Sequence, residues 1–189
     1  MKKLPLLILL LIVAGACKLD PIEDAWEYYE DWRNDNNQWL AEQEARVDAE
    51  GNPYYEKVVP VYDNNAYVLI HYFNDRDLTA GNLSPLATSV VDVKYHMELY
   101  DGTAIDSTYL RTEPADSLAR FDLSNANYIA GFRIALMAMH VGDSCDVIIP
   151  YQQGYTNMGD SYGKVAPYSH LRYRMKLANI AGYEINPVE

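Results

Sequence analysis

The chain is poor in cysteine, in basic residues and in long apolar runs. Two cysteines in 189 residues, Cys17 and Cys145, exclude a small disulfide-stapled scaffold. Fifteen Lys and Arg stand against 27 Asp and Glu, a formal net charge of -12, which argues against nucleic acid or an anionic membrane surface as a partner. The four histidines, His71, His96, His140 and His170, are too scattered for a metal-ligand spacing, so neither metal nor cofactor is expected. There is no G-x-S-x-G nucleophile motif, no glycine-rich phosphate loop, no internal repeat and no low-complexity segment. Hydrolytic and phosphoryl-transfer chemistry therefore lack positive support.

The N-terminal residues have a pattern of their own. Met1-Lys2-Lys3 precedes the apolar run Leu4 to Val13, then Ala14-Gly15-Ala16-Cys17. A basic start, a short apolar stretch and small residues before a cleavage point read as a secretory signal over 1–16. The run is shorter than the roughly 20 apolar residues a spanning helix needs. Cys17 after small residues resembles the lipobox of bacterial lipoproteins, in which the cysteine becomes the new N-terminus and carries lipid. The alternative is an ordinary signal peptide with an incidental cysteine. The lipoprotein reading implies an exported protein of a Gram-negative-type cell envelope, at the outer membrane, facing periplasm or surface and touching membrane through its anchor only. Residues 17–23 then form a tether, and Asp20, Glu23 and Asp24 hint at surface export. With Cys17 acylated, Cys145 has no intramolecular partner. It sits in the alternating stretch 144–149 and reads as a buried structural thiol.

Trp26, Tyr29, Trp32, Trp39, Leu40 and Val47 fall near one helical face, interrupted by Asn36 and Gln43, and predict a helix over 24–48 within an N-terminal segment 24–52. Asp24 is placed to cap it, with Glu27 at the capping-box position. From residue 53 the period changes to two. Strands are predicted over 54–62, 66–73, 88–100, 143–150 and 168–180, loops over 74–87 and 151–167, and one short helix over 126–140 on the spacing of Ile129, Phe132, Leu136 and Met139. This defines an α+β domain over 53–182, with core motifs at 88–180 and a C-terminal tail at 183–189.

The order of parts in 90–177 carries more. VVDVKYHMELYDGTAIDST leads to FDLSNANYIAGFRIALMAMHVGDSCDVIIP, and APYSHLRYRMKL closes the stretch. This resembles the FKBP-type peptidyl-prolyl isomerases, where V-x-Y precedes D-G-x-x-F-D-S, then F-x-L, V-I-x-G-W-x-x-G-L-x-x-M-x-x-G and I-P. An A-Y-G loop and I-P-P-N before the last strand follow. The resemblance implies an antiparallel sheet wrapped around a short helix, preceded here by an N-terminal helix. It also implies an activity. Amide resonance sets a rotation barrier of about 18–20 kcal/mol, and X-Pro bonds interchange slowly between two populated isomers. A site that binds the twisted amide more tightly than either planar form lowers that barrier without nucleophile or metal. The substrates implied are proline-containing peptides or unfolded exported proteins.

The resemblance assigns residues. Tyr95, Asp106 and Tyr155 take the catalytic positions: Tyr95 on the pocket wall, Asp106 holding polar partners at the rim, Tyr155 donating its hydroxyl to substrate. Ile105, Phe121, Tyr128, Ile129, Phe132, Val165 and Tyr173 take the substrate-binding positions, with Phe132 as floor and a backbone N–H at 128–129 meeting the substrate carbonyl. Several positions depart from the family pattern. Ile105 stands where Phe is usual and Phe132 where Trp is usual. Ala119 stands where some members have a pocket aromatic, and Ser124 replaces a glycine. Gln153-Gly154-Tyr155-Thr156 replaces A-Y-G, and Val165-Ala166-Pro167-Tyr168 replaces I-P-P-N. The loop 74–87 and the strand before it are longer than the family minimum and are expected to cover or extend the groove. Two other readings stand beside the isomerase: a catalytically weak or inactive FKBP-like lipoprotein that binds peptides or proteins, and a surface glycan-binding lipoprotein suggested by the 17 tyrosines. Periodicity alone would also bury Phe121, Ile129, Phe132 and Tyr173 as ordinary core.

Overall fold

The computed structural model describes residues 21–110 and 117–182. The signal segment, Cys17 and the tail 183–189 lie outside the described residues. Helices α1 (Pro21–Tyr28) and α2 (Glu30–Glu44) come first. Strands β1 (Glu56–Val58), β2 (Val68–Tyr72), β3 (Val90–Leu99), β4 (Ala104–Ser107) and β5 (Ala119–Asp122) follow, then α3 (Ala130–Ala138), β6 (Ser144–Ile149) and β7 (Leu171–Ala181). The strands form one antiparallel sheet in the order β1-β2-β6-β7-β3-β4, with β5 also pairing β3.

Alternation dictates which face is covered. In β7, Leu171, Tyr173, Met175 and Leu177 are buried, while Arg172, Arg174 and Lys176 point the other way. A bulge where Asp92 pairs with Asn179 and Val93 with Leu177 adds a residue to β7. It lets Ile180 return to the same core as Leu177. Val91, Val93, Tyr95, Met97 and Leu99 of β3 and Cys145, Val147 and Ile149 of β6 complete this face, and α3 packs on it through Phe132, Ile134, Ala135 and Leu136. Gly131 permits the close approach, since a Cβ there would lie 2.2 Å from a methyl of Ile149. Cys145 is fully buried with its sulfur 3.6 Å from that of Met139, and burial pushes its thiol pKa up.

The opposite face carries a polar ladder and the N-terminal helices. Asp146 accepts two hydrogen bonds from Arg172 Nε, at 2.9 and 3.1 Å, one from Nη2 at 2.7 Å, and one from the Tyr55 hydroxyl at 2.9 Å. Glu98 sits 3.3 Å from both Arg172 and Arg174. Helix α2 docks on its own domain. Trp39 and Leu40 pack against Tyr55, Leu69 and Ile148, and Trp32 donates to the Ser169 hydroxyl at 3.1 Å. The side-chain oxygen of buried Asn36 accepts the His170 N–H at 2.8 Å while its amide donates to the Trp32 carbonyl at 2.9 Å.

Four expectations are corrected. The helix expected over 24–48 is two helices meeting at Tyr29, so Asp24 lies inside α1 rather than capping. Asn36 does not interrupt the docking face but anchors it. The strand expected over 54–62 shrinks to Glu56–Val58, ending just before Pro60, whose nitrogen cannot join a ladder. The loop 74–87 does not cover the groove. It closes on the far end of α3, where Asn74, Arg76 and Thr79 converge on Asp143 and Asn82 donates to the Val141 carbonyl.

His170 gives the domain a pH dependence. The Tyr151 N–H donates to its Nδ1 at 2.9 Å, which leaves the ring proton on Nε2, 3.4 Å from Asn37. Burial lowers its pKa to about 4. The unfolded chain, with a value near 6.5, therefore binds this proton first as pH falls. Stability due to the neutral ring is full above about pH 6.5 and is lost between there and about pH 4. Chemical denaturation at pH 7 and pH 4.5 should show a loss of up to roughly 3 kcal/mol, and His170→Gln should flatten that slope. An unchanged slope would mean the ring stays hydrated.

Candidate active site

The site forms where α3 begins. Ile129 precedes α3 in an extended conformation (φ -56°, ψ 141°) with no side-chain cap on the helix. Its own N–H has no hydrogen-bond partner among the described residues. This places a free backbone donor at the mouth of a hollow of about 420 Å³.

All ten candidate residues line that one hollow: Tyr95, Asp106 and Tyr155, together with Ile105, Phe121, Tyr128, Ile129, Phe132, Val165 and Tyr173. Strand β3 supplies Tyr95, β4 supplies Ile105 and Asp106, β5 supplies Phe121 and β7 supplies Tyr173. Phe132 lies at the centre of the rings, with centroids 5.0 Å from Phe121, 5.7 Å from Tyr173, 6.1 Å from Tyr95 and 6.4 Å from Tyr128, all tilted or edge-on. Those orientations set positive ring edges against negative faces and favour the cluster beyond its buried area. Phe132, Tyr95 and Tyr173 are buried, and Phe121 is half-buried.

The polar groups stand at the rim. The Tyr95 hydroxyl donates to Asp106, and the other Asp106 oxygen accepts the Ser107 N–H at 2.8 Å. The carboxylate is thereby fixed by groups on either side. Burial raises the Tyr155 pKa, with Asp160 and Asp106 adding to it, and raises that of buried Tyr173 much further. Both hydroxyls stay protonated at neutral pH and remain donors.

The wall opposite β3 is a loop held by Asp160. Its backbone N–H donates to the Val165 carbonyl at 3.0 Å, and its carboxylate accepts the Val165 N–H at 2.6 Å. Gly159 turns the chain there with φ +73°, and a Cβ would lie 2.5 Å from the Val165 oxygen, so only glycine fits. That closure sets Tyr155 and Val165 on one wall.

Five further residues line the hollow: Met97, Asn127, Asp160, Tyr162 and Lys164. Met97 was legible as the residue two beyond Tyr95 on β3, and Asn127 as the neighbour of Tyr128. Asp160, Tyr162 and Lys164 sit in an irregular loop where no period points. Among the described residues no group of three or more His, Cys, Asp or Glu is placed to hold a metal ion. No described helix is long and apolar enough to cross a membrane.

Residues 81–178 match the family model described as FKBP-type peptidyl-prolyl cis-trans isomerase, and the chain belongs to that family. It is 33% identical over 96 residues to the FKBP-type 22 kDa peptidyl-prolyl cis-trans isomerase of Escherichia coli (strain K12), covering 51% of this chain and 43% of that one. The chain spans less than half the length of the curated relatives it matches. Its fold is similar to the peptidyl-prolyl cis-trans isomerase of Pseudomonas syringae pv. tomato, with TM-score 0.60 and 21% identity over 85% of this chain and 96% of that one. It is also similar to FkpA from Escherichia coli, with TM-score 0.63 and 19% identity over 84% and 65%.

Proposed function

We propose that this chain is a peptidyl-prolyl cis-trans isomerase of the cell envelope, acting on X-Pro segments of peptides or unfolded exported proteins. The observation that carries this reading is the ring-lined hollow around Phe132. Its aromatic walls suit a proline ring and favour the less polar, twisted amide over either planar isomer. Tyr95, Asp106 and Tyr155 are the catalytic group in this reading. Tyr155 donates to a substrate carbonyl, the Ile129 N–H to another, and Asp106 holds the rim through Tyr95 and Ser107. Ile105, Phe121, Tyr128, Phe132, Val165 and Tyr173 surround the proline. Residues 53–182 form the isomerase domain and 24–52 its helical lead-in.

The test is cis/trans exchange of short X-Pro peptides by NMR, with soluble protein beginning at Lys18. Accelerated exchange is expected. The Asp106→Ala/Tyr155→Phe variant should lower it by about 10- to 100-fold, the equivalent of losing hydrogen bonds worth roughly 1.5–3 kcal/mol. Folded protein that accelerates no peptide would leave a binding module on an isomerase fold.

The envelope location rests on the 1–16 pattern and on Cys17. Metabolic labelling with a radioactive fatty acid should mark the wild-type protein and leave Cys17→Ser unlabelled. Label retained in the variant would place the lipid elsewhere and remove the tether reading.

A further inference from the structure

The loop 151–168 has two sides. Tyr155, Asp160, Tyr162, Lys164 and Val165 line the hollow around Phe132. Tyr151, Gln152, Thr156, Asn157 and Tyr168, with Trp26 of α1, line a second, shallower groove of about 410 Å³. Tyr155 and Thr156 are consecutive, so at that point only the loop lies between the two. Next along the same loop come Met158, 78% exposed, and Tyr162, 86% exposed. Two large exposed side chains thus stand on the loop that separates the two hollows, one of them, Tyr162, on the lining of the first. Exposed apolar side chains gathered at one place mark binding surfaces.

The groove is built rather than incidental. Tyr168 is buried, and its ring meets Trp26 and Tyr151 edge-on, each at 5.5 Å. The Arg33 guanidinium lies 3.4 Å above the Trp26 ring and donates to the Trp26 carbonyl at 2.7 Å. Trp26 is thereby fixed on one side while half its surface stays in water. Two non-glycine residues of the groove take left-handed backbone conformations, Thr156 at φ 59° and Tyr168 at φ 64°. Such conformations are disfavoured for both residue types. They are held by Thr156 N–H to the Tyr151 carbonyl at 2.8 Å and Tyr168 N–H to the Thr156 carbonyl at 2.9 Å. The lining carries no charge. The amides of Gln152 and Asn157 have no hydrogen-bond partner among the described residues, and each offers donors and an acceptor matched to a peptide backbone.

We propose that this groove is a second binding site, for the extended apolar segment flanking the proline in an unfolded polypeptide substrate. The inference rests on the isomerase reading for what occupies the neighbouring hollow. The occupant follows from continuity: a chain with its X-Pro bond at Phe132 leaves the hollow over Tyr162 and Met158 and meets the rings of Trp26 and Tyr168. Methionine at the crossing suits apolar side chains of varied shape, because its thioether is flexible and polarizable. A hydroxyl-rich sugar chain gains little from it.

The experiment compares short and long substrates on the mature chain and on two single variants, Trp26→Ser and Met158→Asp, neither of which lines the hollow. NMR exchange of a short X-Pro peptide should stay within twofold of wild type. The kcat/KM for refolding of a denatured protein limited by prolyl isomerisation should fall at least fivefold in each variant. Fluorescence anisotropy with a labelled, permanently unfolded carboxymethylated protein should show affinity weakened at least fivefold in each, with no competition from neutral oligosaccharides. Met158→Asp carries the test if Trp26→Ser disturbs α1. Wild-type values for refolding and binding in the Met158 variant, or displacement of the unfolded chain by an oligosaccharide, would overturn the proposal. Binding of the unfolded chain that depends on Trp26 and Met158, without turnover of any peptide, would uphold the groove and refute the isomerase reading.

Discussion

Replacing Phe132 with alanine is expected to lower the unfolding free energy by about 3–5 kcal/mol. Phe132 is 4% exposed and touches the rings of four neighbours that come from β3, β5, β7 and the segment before α3. Truncation removes the one side chain common to all of them, and collapse is resisted because Tyr95 is tied to Asp106. Urea unfolding measures the cost. Phe132→Leu separates the two roles of the residue, since it refills most of the space without the ring. It should cost about 1–2 kcal/mol, near the upper end for hydrophobic exchange in a core, yet lose at least tenfold in X-Pro exchange. Full exchange with Phe132→Leu would show that the ring face takes no part in binding the amide.

Asp143→Ala is expected to cost about 3–5 kcal/mol, the range for breaking a buried charged site. The side chain is fully buried. It accepts from the Thr79 hydroxyl at 2.5 Å, the Asn74 amide at 3.1 Å and the His140 N–H at 2.7 Å, with Arg76 Nε at 3.5 Å. Without it these donors lose a shared acceptor, and the 74–87 loop is left attached there through the Ser144 N–H on Asn74 at 2.8 Å and the Asn82 contact to Val141. Burial works to raise the Asp143 pKa, but those hydrogen bonds and Arg76 outweigh it and hold the carboxyl below its ordinary value. Its contribution is therefore full above the unfolded value near 3.9 and is lost as pH falls through the lower folded one. Unfolding at neutral and acid pH should show wild type and variant converging in acid, with proteolysis of the variant beginning within 74–87. A constant gap across pH would place the stabilisation in packing rather than in the carboxylate.

The long elements were legible in the sequence. Strands β3, β6 and β7 alternate over six to eleven residues, and α3 shows helical spacing, so each period had room to declare itself. Strands β4 and β5 escaped because four residues, half of them exposed, hold too little pattern. They nevertheless carry Ile105, Asp106 and Phe121. Only the ordered resemblance of 90–177 to a known family singled those residues out.

The composition and motif order determined an acidic α+β chain with a single short helix against a sheet and ten residues worth placing together. The charge and the fold class follow from residue identity and local periodicity, and the ten residues from the resemblance of 90–177 to a known family. The tertiary structure alone decided where Asn36 belongs. A polar side chain on an apolar face reads as an interruption until the His170 N–H that it satisfies is brought beside it across 134 positions. The same holds for the loop 74–87, whose closure on Asp143 rather than over the hollow depends on a buried carboxylate distant in sequence. It holds again for Trp26 beside Tyr168. Hydrogen bonds and ring contacts of that range are set by how the sheet and helices pack, and no window of the chain contains both partners.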